Sequence, residues 1–162
     1  MSKRSSSQRP ARAVKTAKSQ PKAGRPFAPG YGIVGAENGK GLLPWAWVAR
    51  KMNRGRTFWL ATIHAAQGRP HVMPVWGVWL DDAFFFSTGH KSRKCQNLSA
   101  NPACTITNDH GEEAVIVEGM ATPAEDPAVL ERVAVVYKKN TKWTRAAWES
   151  RSSSCARTPC LD

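Results

Sequence analysis

HVMPVWGVWLDDAFFFSTGHKSRKCQNLSANP, residues 71–102, is the stretch on which the reading of the chain turns. It reads as a long apolar strand, a tight turn at Asp81–Asp82, a second apolar strand and a short basic helix. Pro74 and Gly77 interrupt a strand otherwise made of Val, Met, Trp and Leu. Proline cannot donate to a ladder, and glycine inside a strand marks a bulge or the close approach of something flat. After the second strand come Ser87, Thr88, Gly89, His90, Lys91, Ser92, Arg93 and Lys94. Hydroxyls and cations at a helix start are what an anion site needs. The stretch therefore points to a phosphorylated cofactor that carries a ring.

Working outward, Ser92 is a natural N-cap for a helix over about 93–100, which Asn101-Pro102 ends. Upstream, Pro44 opens a helix over 44–54 with Trp45, Val48 and Met52 on one face. Strands are expected over 57–65, 71–80, 83–88, 103–108 and 113–122, and a helix over 126–139 with Leu130, Val133, Ala134 and Tyr137 together. Five strands joined by short turns, with helices between and after them, imply an antiparallel barrel rather than a parallel sheet. A barrel needs a closing strand. Residues 144–162, TRAAWESRSSSCARTPCLD, have no alternating apolar run, so the expectation is a barrel lacking that strand and ending in a disordered tail.

The formal net charge of +12 is uneven. Residues 1–25 hold eight Lys/Arg and no acid, whereas residues 26–148 hold fourteen against ten acids. The organisation expected is a disordered basic tail over 1–26, a folded domain over 27–143 and the atypical segment over 144–162. A basic arm can bind phosphates without sequence preference, but no aromatic is interleaved here, so a nucleic-acid partner is disfavoured. Gly30–Gly35 matches GxGxxG, but no buried strand precedes it and no helix follows, which removes the dinucleotide reading. Four cysteines without CxxC spacing, no apolar run long enough for a bilayer and no signal segment place the protein in the cytoplasm. His64, His71, His90 and His110 are scattered without a carboxylate pattern, so neither a catalytic triad nor a metal site is expected.

Over 69–102 the sequence resembles the pyridoxamine 5′-phosphate oxidase-like family of FMN-binding split-barrel flavoproteins. The resemblance rests on G-R-P-H-x-x-P-V at Gly68–Val75, F-x-F-S-T at Phe84–Thr88, and S-R-K-x-x-N-L-x-x-N-P at Ser92–Pro102. It implies a mainly β split barrel, usually a homodimer, with FMN or in some branches a deazaflavin at the subunit interface. Carried over, His71, Val72, Met73, Pro74, Val75 and Trp76 would line the isoalloxazine ring, largely through backbone groups. Ser87 and Thr88 would meet the ring or the ribityl-phosphate chain, and Ser92, Arg93 and Lys94 would form the phosphate end. The implied activity is hydride transfer to or from a small organic substrate, with no catalytic side chain assigned. Alternatives are a non-catalytic module of the same fold holding flavin or haem, or an inactive truncated copy. Trp76 stands where pyridoxamine phosphate oxidases carry a substrate-binding Lys, and their C-terminal Arg-x-His segment is missing. Both departures argue against pyridoxamine phosphate as substrate.

Overall fold

A computed structural model describes residues 22–25, 28–32, 41–141 and 155–159. Helix α1 (Trp45–Arg54) leads into β1 (Thr57–Ile63), β2 (Pro70–Leu80) and β3 (Ala83–Ser87). Then follow α2 (Arg93–Ala100), β4 (Ala103–Asn108), β5 (Ile116–Met120), β6 (Thr122–Pro123), α3 (Pro127–Thr141) and β7 (Cys155–Pro159). The five expected strands and three helices are all present, with ends shifted by a few residues. The basic tail before residue 22 and the glycine-rich residues 33–35 lie outside the described residues.

All pairings are antiparallel, in the order β5-β4-β1-β2-β3-β7-β6. The two ends of this sheet, β5 and β6, are consecutive in the chain and separated only by Ala121. At that residue the backbone leaves β4, with the Ala121 amide bonded to the Pro102 carbonyl, and takes up β7. One run of chain thus serves both ends of the sheet, which curls into a split barrel.

The expectation of a barrel without a closing strand is corrected here. Of residues 144–162, the described 155–159 form β7, which pairs with all of β3 and with β6. The segment CARTP carries no apolar alternation, so the hydrophobic pattern does not reveal it as a strand. The folded unit accordingly extends past residue 143.

Strand alternation builds two cores. Phe58, Leu60, Val75, Trp79, Phe84, Phe86, Ile106 and Val117 fill the barrel, and α1 seats Met52 against them. The Phe58 and Phe84 rings meet edge-on with centroids 4.6 Å apart. From the other face of β2 and β3, Val78 and Phe85 pack under Val133 and Tyr137 of α3. The β2–β3 turn joins the layers. Asp81 and Asp82 both have positive φ (51° and 57°), where aspartate is tolerated better than most residues. Trp45 of α1 donates to Asp82 at 2.8 Å, and Arg132 of α3 pairs in a fork with Asp81 at 2.8 and 2.9 Å. Lys51 of α1 pairs with Glu113 in the β4–β5 loop, and that bond holds the Glu113 carboxyl below its ordinary pKa.

Candidate functional site

Strand β2 changes partner part-way along. Residues 70–76 pair with β1, from Ile63↔Pro70 to Thr57↔Trp76. Residues 77–80 pair with β3, and that ladder ends at Gly77↔Phe86. Beyond it, Ser87 pairs instead with Cys155 of β7, and the chain turns away through Thr88 into α2. Among the described residues, no strand pairs with the second edge of residues 70–75. Pro74 is tolerated for that reason, since a strand with one partner does not need every N–H. This half is also open to solvent, with Val72 51% and Met73 41% exposed.

Gly77 has a different cause from the one its sequence context suggests. A Cβ at this position would lie 2.3 Å from Cζ of Phe84 and 2.6 Å from the Phe85 carbonyl. The flat group that comes close is a ring of the protein's own core.

The chain leaving β3 passes through Thr88 into the start of α2. Ser92 caps the helix, its hydroxyl accepting from the Cys95 amide at 3.3 Å and sharing a 2.8 Å bond with the buried Thr88. Arg93 is exposed and Lys94 partly so. The first-turn N–H groups carry partial positive charge, to which Arg93 and Lys94 add full charges. Val75, by contrast, turns its side chain into the barrel core, leaving only its backbone for a ligand.

Two polar residues that sequence reasoning missed fix the geometry between these elements. Asn97 is fully buried on α2; its amide donates to Thr62 Oγ1 at 3.0 Å and its oxygen accepts from the Ala65 amide at 3.2 Å. Thr62 in turn donates to the His71 carbonyl at 3.3 Å and lies 3.5 Å from His71 Nδ1. One chain of contacts therefore runs from α2 through β1 to the first residues of β2. The sequence signals for Asn97 are its place in the Ser92–Pro102 motif, where the resemblance attaches no role to it, and its polarity inside an amphipathic helix.

The donor set fits a phosphorylated flavin: a helix start with two cations for the phosphate, and a strand edge with free main-chain groups for a ring. No group of three or more His, Cys, Asp or Glu among the described residues could hold a metal ion. No described helix is long and apolar enough to cross a membrane. On the opposite, outer face of β5-β4-β1-β2, Trp59, Ile63, Val72 and Ile116 are exposed. A hollow of about 280 Å³ lies among them, lined in part by Ala61, Thr105 and Glu118.

A family model described as pyridoxamine 5′-phosphate oxidase matches residues 48–155. Among solved structures, the conserved hypothetical protein Rv2991 of Mycobacterium tuberculosis is 26% identical, with a TM-score of 0.63, covering 74% of this chain and 82% of that one. An FAD-binding protein of Mesorhizobium loti is 19% identical, with a TM-score of 0.58 and coverage of 74% and 91%. The haem storage protein HutZ of Vibrio cholerae is also 19% identical, with a TM-score of 0.58 and coverage of 72% and 89%. No curated protein matches the chain.

Proposed function

The chain belongs to the pyridoxamine 5′-phosphate oxidase family, and from that premise we propose that it is a flavin-dependent oxidoreductase using FMN, or alternatively a deazaflavin coenzyme. The observations that carry the reading are the one-sided half of β2 and the basic start of α2, linked through the contacts of Asn97 with Thr62 and of Thr62 with His71. Arg93 and Lys94, with the first amides of α2, would hold the phosphate, and Ser87 and Thr88 the chain that leads from it. The main chain of residues 71–76 would hydrogen-bond the ring edge. Bound there, the flavin supplies hydride exchange at its N5. The protein's own part is to orient the ring, to exclude water and to select the substrate.

Trp76 stands in place of a cation and lies, by strand alternation, on the same outer face as Val72, so no cation is offered at this position and pyridoxamine phosphate is disfavoured. The outer apolar face would be covered by a second copy, since patches of this kind mark association surfaces. Such a homodimer would bring a second wall to the cofactor. The setting proposed is the cytoplasm.

The second reading is a non-catalytic binding module, favoured by a fold neighbour described as a haem storage protein. Absorption spectra separate the two. Chain purified with added FMN or deazaflavin should carry a flavin-type band that bleaches on reduction and, for FMN, returns in air, whereas added haemin should give no stable Soret band. A Soret band with no retained flavin or deazaflavin would replace the enzyme reading with the haem one.

A further inference from the structure

His64 belongs to no triad or metal pattern in the sequence, yet its surroundings do not suit an ordinary structural residue. It stands where β1 ends, between Thr62 and Ala65, both of which Asn97 of α2 holds. The helix therefore lies over this end of the strand. The backbone of His64 is fixed on both sides: its amide donates to the Arg69 carbonyl at 2.8 Å, and its carbonyl accepts from Gly68 at 2.8 Å. Its side chain is only 8% exposed, and Nδ1 is sealed from solvent with no hydrogen-bond partner. A buried polar nitrogen left in this way carries the full cost of its lost hydration, and native structures rarely keep one without a use for it.

The neighbouring charges indicate what that use is. Burial lowers the His64 pKa, and Arg93 at the first position of α2, Arg69 across the turn and His71 on β2 lower it further. Arg69 lies across the turn, its carbonyl accepting from the His64 amide, and Asn97 holds α2, which begins with Arg93 and Lys94, over this end of the strand, so basic residues and an unsatisfied nitrogen share one end of the barrel. An anion would relieve both the repulsion and the missing hydrogen bond.

Resting on the phosphate reading of the α2 start, we propose that His64 is a further ligand of that anion site, its imidazole N–H donating to a phosphate-ester oxygen held by Arg93, Arg69 and the first amides of α2. With the backbone fixed, the adjustment lies in the side chain alone. His64 therefore reads the phosphate and not the ring.

The test is a titration of the full chain with FMN and with riboflavin, which lacks the phosphate, alongside thermal melts in inorganic phosphate. His64→Leu should weaken FMN binding about tenfold, the worth of one hydrogen bond to a charged group, and leave riboflavin binding unchanged. His64→Asn keeps a side-chain N–H near the Nδ1 position and should recover part of the loss; it also carries the comparison if the leucine variant fails to fold. Inorganic phosphate should raise the melting temperature of the wild type more than that of His64→Leu. An unchanged ratio of FMN to riboflavin affinity, or equal losses for both flavins, would overturn the proposal. If the wild type ignores flavins yet gains His64-dependent stability from phosphate, the flavin reading falls and the anion site stands. If it responds to neither, both fall.

Discussion

Residues 70–76 and 77–80 are consecutive parts of one strand, both rich in apolar side chains. The first has a strand partner on one side and exposes Val72, Met73 and Trp76; the second belongs to the β3 ladder and buries Val78 and Trp79. The difference lies in what the neighbouring chain does. Strand β3 follows β2 only as far as Gly77 and then departs toward α2, and before that point Val72, Met73 and Trp76 stay exposed while Val75 alone enters the core. Apolar residues left exposed beside free main-chain groups are placed for a ligand or a partner, whereas apolar residues with neighbours on every side are placed for stability.

If that division is right, changes around the second half should cost stability and changes around the first should cost binding. Phe84→Ala, which empties the centre of the barrel opposite Trp79, should lower the unfolding free energy by about 3–5 kcal/mol in urea denaturation. A loss below about 1 kcal/mol would mean that the barrel core is not where the structure puts it. On the binding side, reversing Arg93 and Lys94 together to Glu should weaken FMN at least about a hundredfold, with little change in melting temperature because Arg93 is exposed. Undiminished affinity would move the phosphate site elsewhere. Gly77→Ala pushes a methyl group into the Phe84 ring and should cost about 1–3 kcal/mol, measured by the same denaturation.

Acid should sharpen the contrast through His64. Its folded pKa is lowered from 6.5, by burial first and then by Arg93, Arg69 and His71, so the unfolded chain takes up the proton more readily. The stability tied to the neutral ring is present above about pH 6.5 and is lost as pH falls through the folded value. A series of melts below pH 6.5 should show this decline, and His64→Asn should flatten it. The smallest effect is expected at Val72→Ser, within about 0.5 kcal/mol of wild-type stability, because Val72 is 51% exposed.

Much of this division is legible in the sequence, and the rest is hidden for identifiable reasons. The β2–β3 hairpin and α2 follow from apolar runs, the Asp81–Asp82 turn and the Ser92 cap, all of them local signals. Pro74 correctly marks a strand half with one partner. Gly77 misleads because a close approach in sequence does not say who approaches, and Phe84 is reached only through the hairpin register. Strand β7 is invisible because CARTP lacks the apolar alternation by which the other strands are read. Asn97 and His64 escape because their roles depend on contacts 32 and 35 residues away along the chain for Asn97, and on a missing hydrogen bond for His64.

Amide hydrogen exchange of the full chain with and without FMN tests the central claim most directly, because it reads the two halves of β2 separately. The account predicts that FMN slows exchange at residues 71–76, except proline, and at 87–94, while amides 77–80 exchange slowly in both states. FMN binding that leaves 71–76 and 87–94 unprotected, or protection confined to the outer face of β4 and β5, would contradict it.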